Sequence, residues 1–176
     1  LGAKGGHLAT GILGTKYIFP VLSDTGNVDI AYTVSSKRDY PSWGYMIDNG
    51  ATTLWELWEL KTGRGMNSHN HQMFGSVVDW FFGRVAGIGT LPEPGYETVT
   101  IAPLPGGVLE AAEAYVDTVR GRVVSAWERS GDTFTLSVTV PPNMRARVAV
   151  PLDGVGDAVV RELSTDAPGT RTGESV

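Results

Sequence analysis

The chain has 176 residues, 41% hydrophobic and 19% charged, a composition that excludes a disordered polypeptide and fits one substantial core or one and a half small ones. A formal charge of −5 gives no support to nucleic-acid binding, and no apolar run approaches the roughly 20 residues that span a bilayer, so neither nucleic acid nor a membrane is an expected partner. The lack of cysteine excludes a disulfide framework and thiolate metal ligands.

Leu8, Ile12, Leu13, Ile18, Phe19 and Leu22 recur at roughly helical spacing, so a helix is expected over His7–Leu22, with Gly11 and Gly14 interrupting its start and Asp24-Thr25-Gly26 stopping it. Asn27 is a plausible N-cap for a second helix through Val34, and Pro41 suits the first turn of a third that ends before Asn49-Gly50. Thr53 and Glu56 have the spacing of a capping box, which predicts a fourth helix. A long helix is expected from about His71 to Ala86, with Phe74, Val77, Val78, Phe81 and Val85 as its apolar stripe and Trp80 and Phe82 widening it. A helix that apolar is buried on more than one side. Together with a first residue that is Leu1 rather than Met, this creates the expectation that the chain is a piece of something longer, and its compartment stays open.

Composition changes near residue 90. All the lysines and histidines and most aromatic residues lie before it, with charges in balance, whereas the whole net charge of −5 lies after it. The Gly87–Gly95 stretch, G-I-G-T-L-P-E-P-G, reads as a linker, which divides the chain into residues 1–89 and 90–176. Beyond it the period falls to two. Phe134, Leu136, Val138 and Val140 alternate with Thr and Ser, and Ser130-Gly131-Asp132 reads as the hairpin turn from a strand over Val123–Glu128. Thr98–Ala102, Val108–Tyr115, Arg145–Val150 and Ala158–Leu163 are further candidates. Short strands at this spacing indicate an antiparallel β-sandwich.

The chemistry-bearing residues crowd into Gly50–Gly75. Glu56 and Glu59 are candidates for a general base or nucleophile, or else surface carboxylates beside core tryptophans; Trp55 and Trp58 offer a dry wall or a flat face for a sugar ring. His69 and His71 lack a third ligand at metal-binding spacing, so no metal is expected, and no cofactor either. Neutral imidazole suits sugar hydroxyls.

In order along the chain, G-H-L-A-T-G-I-L-G-T, Y-P-S-W-G-Y-M, G-A-T-T-L-W-E and N-H-Q-M-F-G-S-V-V-D-W resemble the C-terminal portion of bacterial α-L-rhamnosidases, glycoside hydrolase family seventy-eight. I-A-P-L-P-G-G and F-T-L-S-V-T-V-P-P-N resemble the β-sandwich that follows the barrel in that family. The resemblance implies the closing helices of an (α/α)6 barrel followed by an antiparallel sandwich. It also implies inverting hydrolysis of rhamnose-containing oligosaccharides or glycosides. Glu56 matches the family's general base, and His71 matches a histidine that contacts the sugar, with Trp55 beside them as a further contact. The general acid belongs to a segment upstream that nothing here matches, so the missing N-terminal part of a parent chain is an expected partner and this chain alone is expected to be inactive. His69 and Glu59 receive no role from it. Two other readings stay open: a non-catalytic carbohydrate-binding or structural sandwich, and another (α/α)6 glycosidase or phosphorylase.

Overall fold

The structure, a computed structural model, describes residues 4–65, 68–90 and 94–152. The first helix, α1, runs Ile12–Asp24. It starts only after Gly11 because glycine weakens helix nucleation, and Thr15 anchors the first turn by donating to the Gly11 carbonyl at 2.9 Å. It stops where expected, at Thr25 and at Gly26 with φ +73°. Helix α2 spans Val28–Ser35. Asn27 stands at its N-cap position, but its side-chain amide donates to Thr25 instead of capping the helix.

Helix α3, Trp43–Asp48, departs from expectation at its start. Pro41 lies before the helix, joined to Tyr40 by a cis peptide bond, and the cap is Ser42, whose hydroxyl accepts from the Tyr45 amide at 2.9 Å. The expected fourth helix after Thr53 does not form; residues 51–60 are bends and irregular backbone. The Thr53 hydroxyl donates to the His69 carbonyl, and the backbone of Leu54 and Glu56 is bonded to the chain that returns at residues 68–71. A segment whose amides and carbonyls are engaged across the chain has none left for a helical turn.

The expected long helix is a continuous helical run of changing pitch. A 3₁₀ turn (Gln72–Ser76) leads into α4 (Val77–Trp80), which opens into a π turn (Phe81–Val85) closed by the Ala86 amide on the Phe81 carbonyl at 2.9 Å. The altered pitch changes which residues face inward. Phe74, Val77, Trp80 and Val85 are buried, whereas Val78 and Phe81, expected in the stripe, are exposed.

Among the described residues six strands follow: β1 (Ile88–Thr90), β2 (Thr98–Ile101), β3 (Ala111–Thr118), β4 (Gly121–Ser130), β5 (Thr133–Thr139) and β6 (Arg145–Val148). Strand β1 falls inside the stretch read as a linker, so the sheet begins before residue 90. One sheet has the order β1-β2-β6 and the other β3-β4-β5. All pairs are antiparallel except β2 with β6, which are parallel in register Thr98–Arg145 to Ile101–Val148. Ile88, Val99 and Ile101 of one sheet pack on Val123 of the other, with Val116 and Val138 beside them. The candidate strand at 158–163 lies outside the described residues.

The helical part is bolted to the sandwich. Trp127 on β4 donates its indole N–H to the Val85 carbonyl at 2.7 Å, and Ser125 donates to the Ala86 carbonyl at 2.6 Å. From the other side the I-A-P-L-P-G-G segment closes in: the Leu104 amide donates to Arg84 at 2.8 Å and the Leu104 carbonyl accepts from the Tyr32 hydroxyl at 2.7 Å. Glycine is required at residue 87, where φ is +80° and a Cβ would stand 2.2 Å from the Pro103 nitrogen.

Gly87→Ala should therefore destabilise the chain by about 2–5 kcal/mol, a left-handed backbone penalty plus overpacking against backbone. Gly131→Ala, with φ +56° and open space around it, should lose only the first part, about 1–2 kcal/mol. Denaturant midpoints of the two variants test this difference. A second expectation concerns Tyr32, whose hydroxyl burial pushes from 10.0 to about 12. Because the folded state holds this proton more tightly, its contribution is complete below pH 10 and is lost as pH rises towards 12. Thermal melts across that window should fall, and Tyr32→Phe should flatten the fall.

Candidate active site

Two backbone hydrogen bonds build the site. The His71 amide donates to the Leu54 carbonyl at 2.8 Å and the Glu56 amide to the Ser68 carbonyl at 3.0 Å, zipping the two segments together. This brings Glu56 and His71 side by side, with His71 Nδ1 3.7 Å from Glu56 Oε2. Both side chains are about one-quarter exposed, at 23% for Glu56 and 26% for His71, so each is sheltered yet reachable. Trp55 is buried, whereas Glu56 next to it stays part exposed.

Trp55, the expected sugar contact, is only 3% exposed and packs with Met46 and Phe74. This corrects the sequence reading, because its ring supports the site from beneath. The aromatic residue on the surface of the site is Trp58. Its indole N–H donates to the Thr10 carbonyl at 3.1 Å, and its ring stacks on Phe74 with centroids 3.9 Å apart. Glu56, Leu57, Trp58 and Phe74 line an open recess of 240 Å³ with Gly11 and Ile12 from the start of α1. The contribution of Gly11 and Ile12 was not legible, since nothing local links residue 11 to residue 56.

Glu59 separates from Glu56. It pairs with Lys61 at 2.6 Å, with both side chains nearly half exposed. His69 points away from His71 and reaches the Lys61 carbonyl at 2.9 Å. Among the described residues no group of three or more His, Asp or Glu could hold a metal ion. What remains is a carboxylate beside an imidazole at the rim of a recess with an apolar, aromatic floor, an arrangement able to take a proton from a molecule seated there.

Comparison with known proteins places this geometry. Residues 1–85 match the bacterial alpha-L-rhamnosidase 6 hairpin glycosidase domain and residues 87–163 the bacterial alpha-L-rhamnosidase C-terminal domain. The chain belongs to the bacterial α-L-rhamnosidase family. It is 43% identical over 157 residues to an alpha-L-rhamnosidase of Streptomyces avermitilis, a match covering 86% of this chain and 15% of that protein. It is 41% identical over 153 residues to one of Formosa agariphila, covering 84% and 16%. Among solved structures, the alpha-L-rhamnosidase of Dictyoglumus thermophilum superposes with a TM-score of 0.80 at 45% identity, covering 85% of this chain and 17% of that one. The Streptomyces avermitilis enzyme, solved in complex with L-rhamnose, also gives 0.80 at 43% identity, covering 86% and 15%. The chain thus spans roughly a sixth of the length of these rhamnosidases. Within it, a helical part of the six-hairpin domain is followed by the sandwich of the C-terminal domain.

The buried tryptophan and the exposed ion pair predict separable effects. Trp55→Ala should destabilise the chain by about 3–5 kcal/mol, the loss typical of a buried tryptophan. Glu59→Gln, which breaks only an exposed ion pair, should stay within about 0.5 kcal/mol. Chemical denaturation of both variants checks the contrast.

Proposed function

We propose that this chain is the C-terminal part of an inverting α-L-rhamnosidase, in which Glu56 is the general base and His71 contacts the sugar. The observation that carries this reading is that Glu56, which lines the recess, lies beside His71, on the two motifs whose family counterparts have those roles. Inversion requires a carboxylate that activates water on one face of the sugar and a carboxylic acid that protonates the leaving oxygen on the other. The two stand about 6.5–9.5 Å apart. Glu56 suits the first role, being sheltered, on the wall of the recess and beside the His71 imidazole. Glu59 does not suit the second, since it is held by Lys61 on an exposed loop. The acid therefore comes from the part of the family's chain that lies outside these residues, with a terminal α-L-rhamnoside as the substrate.

Residues up to about 89 are, on this reading, the end of the catalytic barrel, and the remainder is a structural sandwich. The engagement of the sandwich's aromatics favours this over a carbohydrate-binding module. Trp127 is buried and stacked on Phe134, and the Arg122 guanidinium lies 4.0 Å from the centre of the Tyr115 ring.

In a full-length family protein carrying this segment, Glu56→Gln keeps the shape and removes the base. Its kcat on an aryl α-L-rhamnoside should fall about 10²–10⁴-fold with little change in KM. Near-normal turnover rejects the assignment. The 176-residue chain alone should release no nitrophenol, and turnover in the full-length protein should not depend on phosphate, which separates hydrolysis from phosphorolysis.

A further inference from the structure

His69 takes no part in the chemistry just described, yet it is tied down three ways. Its Nε2 lies 2.9 Å from the Lys61 carbonyl, its ring leans on Trp55 with centroids 5.6 Å apart, and its own carbonyl accepts from the Thr53 hydroxyl. A carbonyl oxygen only accepts, so Nε2 carries the proton and donates it. Lys61 sits on the loop that leaves directly from Glu56 and returns at Ser68, where the Glu56 amide is bonded. The His69–Lys61 bond therefore crosses the loop and braces it above its root. The root is the pair of backbone bonds that sets Glu56 against His71.

We propose that His69 is a positioning residue: by clasping the loop after Glu56 to the segment bearing His71, it holds the carboxylate at its working distance from the imidazole. The proposal rests on the reading of Glu56 as base. Catalytic geometry tolerates little slack, since displacement by about 1 Å can cost 10²-fold in rate. Trp55, fixed in the core, supplies the wall against which the imidazole ring is set.

Two substitutions separate the donor from the ring. His69→Phe keeps an aromatic ring against Trp55 and removes the N–H; His69→Gln keeps an N–H of similar reach and removes the ring. In the full-length protein His69→Phe should lower kcat on an aryl α-L-rhamnoside about tenfold with KM within about twofold, the scale of one lost hydrogen bond, and His69→Gln should recover most of it. In the 176-residue chain, hydrogen exchange at the Glu56 and His71 amides should quicken about tenfold in His69→Phe and stay near the parent rate in His69→Gln. His69→Asn, one methylene short of the carbonyl, should behave like His69→Phe, and replaces it if the latter does not fold. Unchanged kcat and unchanged exchange in His69→Phe, with Glu56→Gln inactive, overturn the clasp and leave the base standing. Equal impairment of the Phe and Gln variants also overturns it. If Glu56→Gln turns over normally, the base reading fails, and amide exchange alone still decides whether His69 braces the loop.

Discussion

The site depends on two backbone hydrogen bonds, His71 to Leu54 and Glu56 to Ser68. They do for a loop what a sheet does for a strand: they fix register, and register decides which side chains face out. Burying a tryptophan is favourable, and with Trp55 buried the two backbone bonds leave Glu56 part exposed beside His71.

The second constraint is the seam between the two parts of the chain. Val85, Ala86 and Gly87 give their backbone carbonyls to Trp127, Ser125 and Ala102. A π turn leaves carbonyls near its end without the usual helical partners, and the sandwich supplies donors for them. Trp80, Phe19 and Tyr32, packed ring against ring, form the apolar layer between this seam and α1. The recess has its rim on the other side of that layer, where Trp58 stacks on Phe74 and Gly11 opens α1. The sandwich therefore supports the site through a continuous core that includes Trp127, Val85, Trp80 and Phe19.

Much of this was legible locally. The stop of α1 at Gly26, the Asn27 boundary and the β4–β5 hairpin at Gly131 follow from turn chemistry and short-range periodicity, and all three stand where the residues place them. The elements misread have non-local causes. Thr53 and Glu56 carry the spacing of a capping box, but the Thr53 hydroxyl is taken by His69, sixteen residues on. The apolar stripe of the long helix assumes constant pitch, and the passage from 3₁₀ to π turns Trp80 in and Phe81 out. Strand β1, three residues with a glycine at its centre, has no periodicity to read, and the parallel pairing of β2 with β6 depends on a crossover between sheets. The closeness of Glu56 and His71 agrees with the motifs that carry them, whereas the burial of Trp55 and the place of Trp58 on the recess were not legible, because they turn on that same lost helix.

Helix α1 shows how much of this architecture looks beyond itself. Thr15 and Phe19 are buried on one face, while Leu13, Tyr17 and Val21, spaced four residues apart on another, are 71%, 62% and 56% exposed. A helix apolar on two faces is shaped for a layer covered from both sides, and aligned apolar stripes are seldom left to water. Phe81 and Phe82 add a second exposed apolar area next to β3, an edge strand of its sheet among the described residues. Both areas lie on elements matched to the rhamnosidase domains, in relatives about six times as long. The chain's inner architecture is complete enough to hold Glu56 and His71 in register. Its outer apolar faces lie uncovered among the described residues.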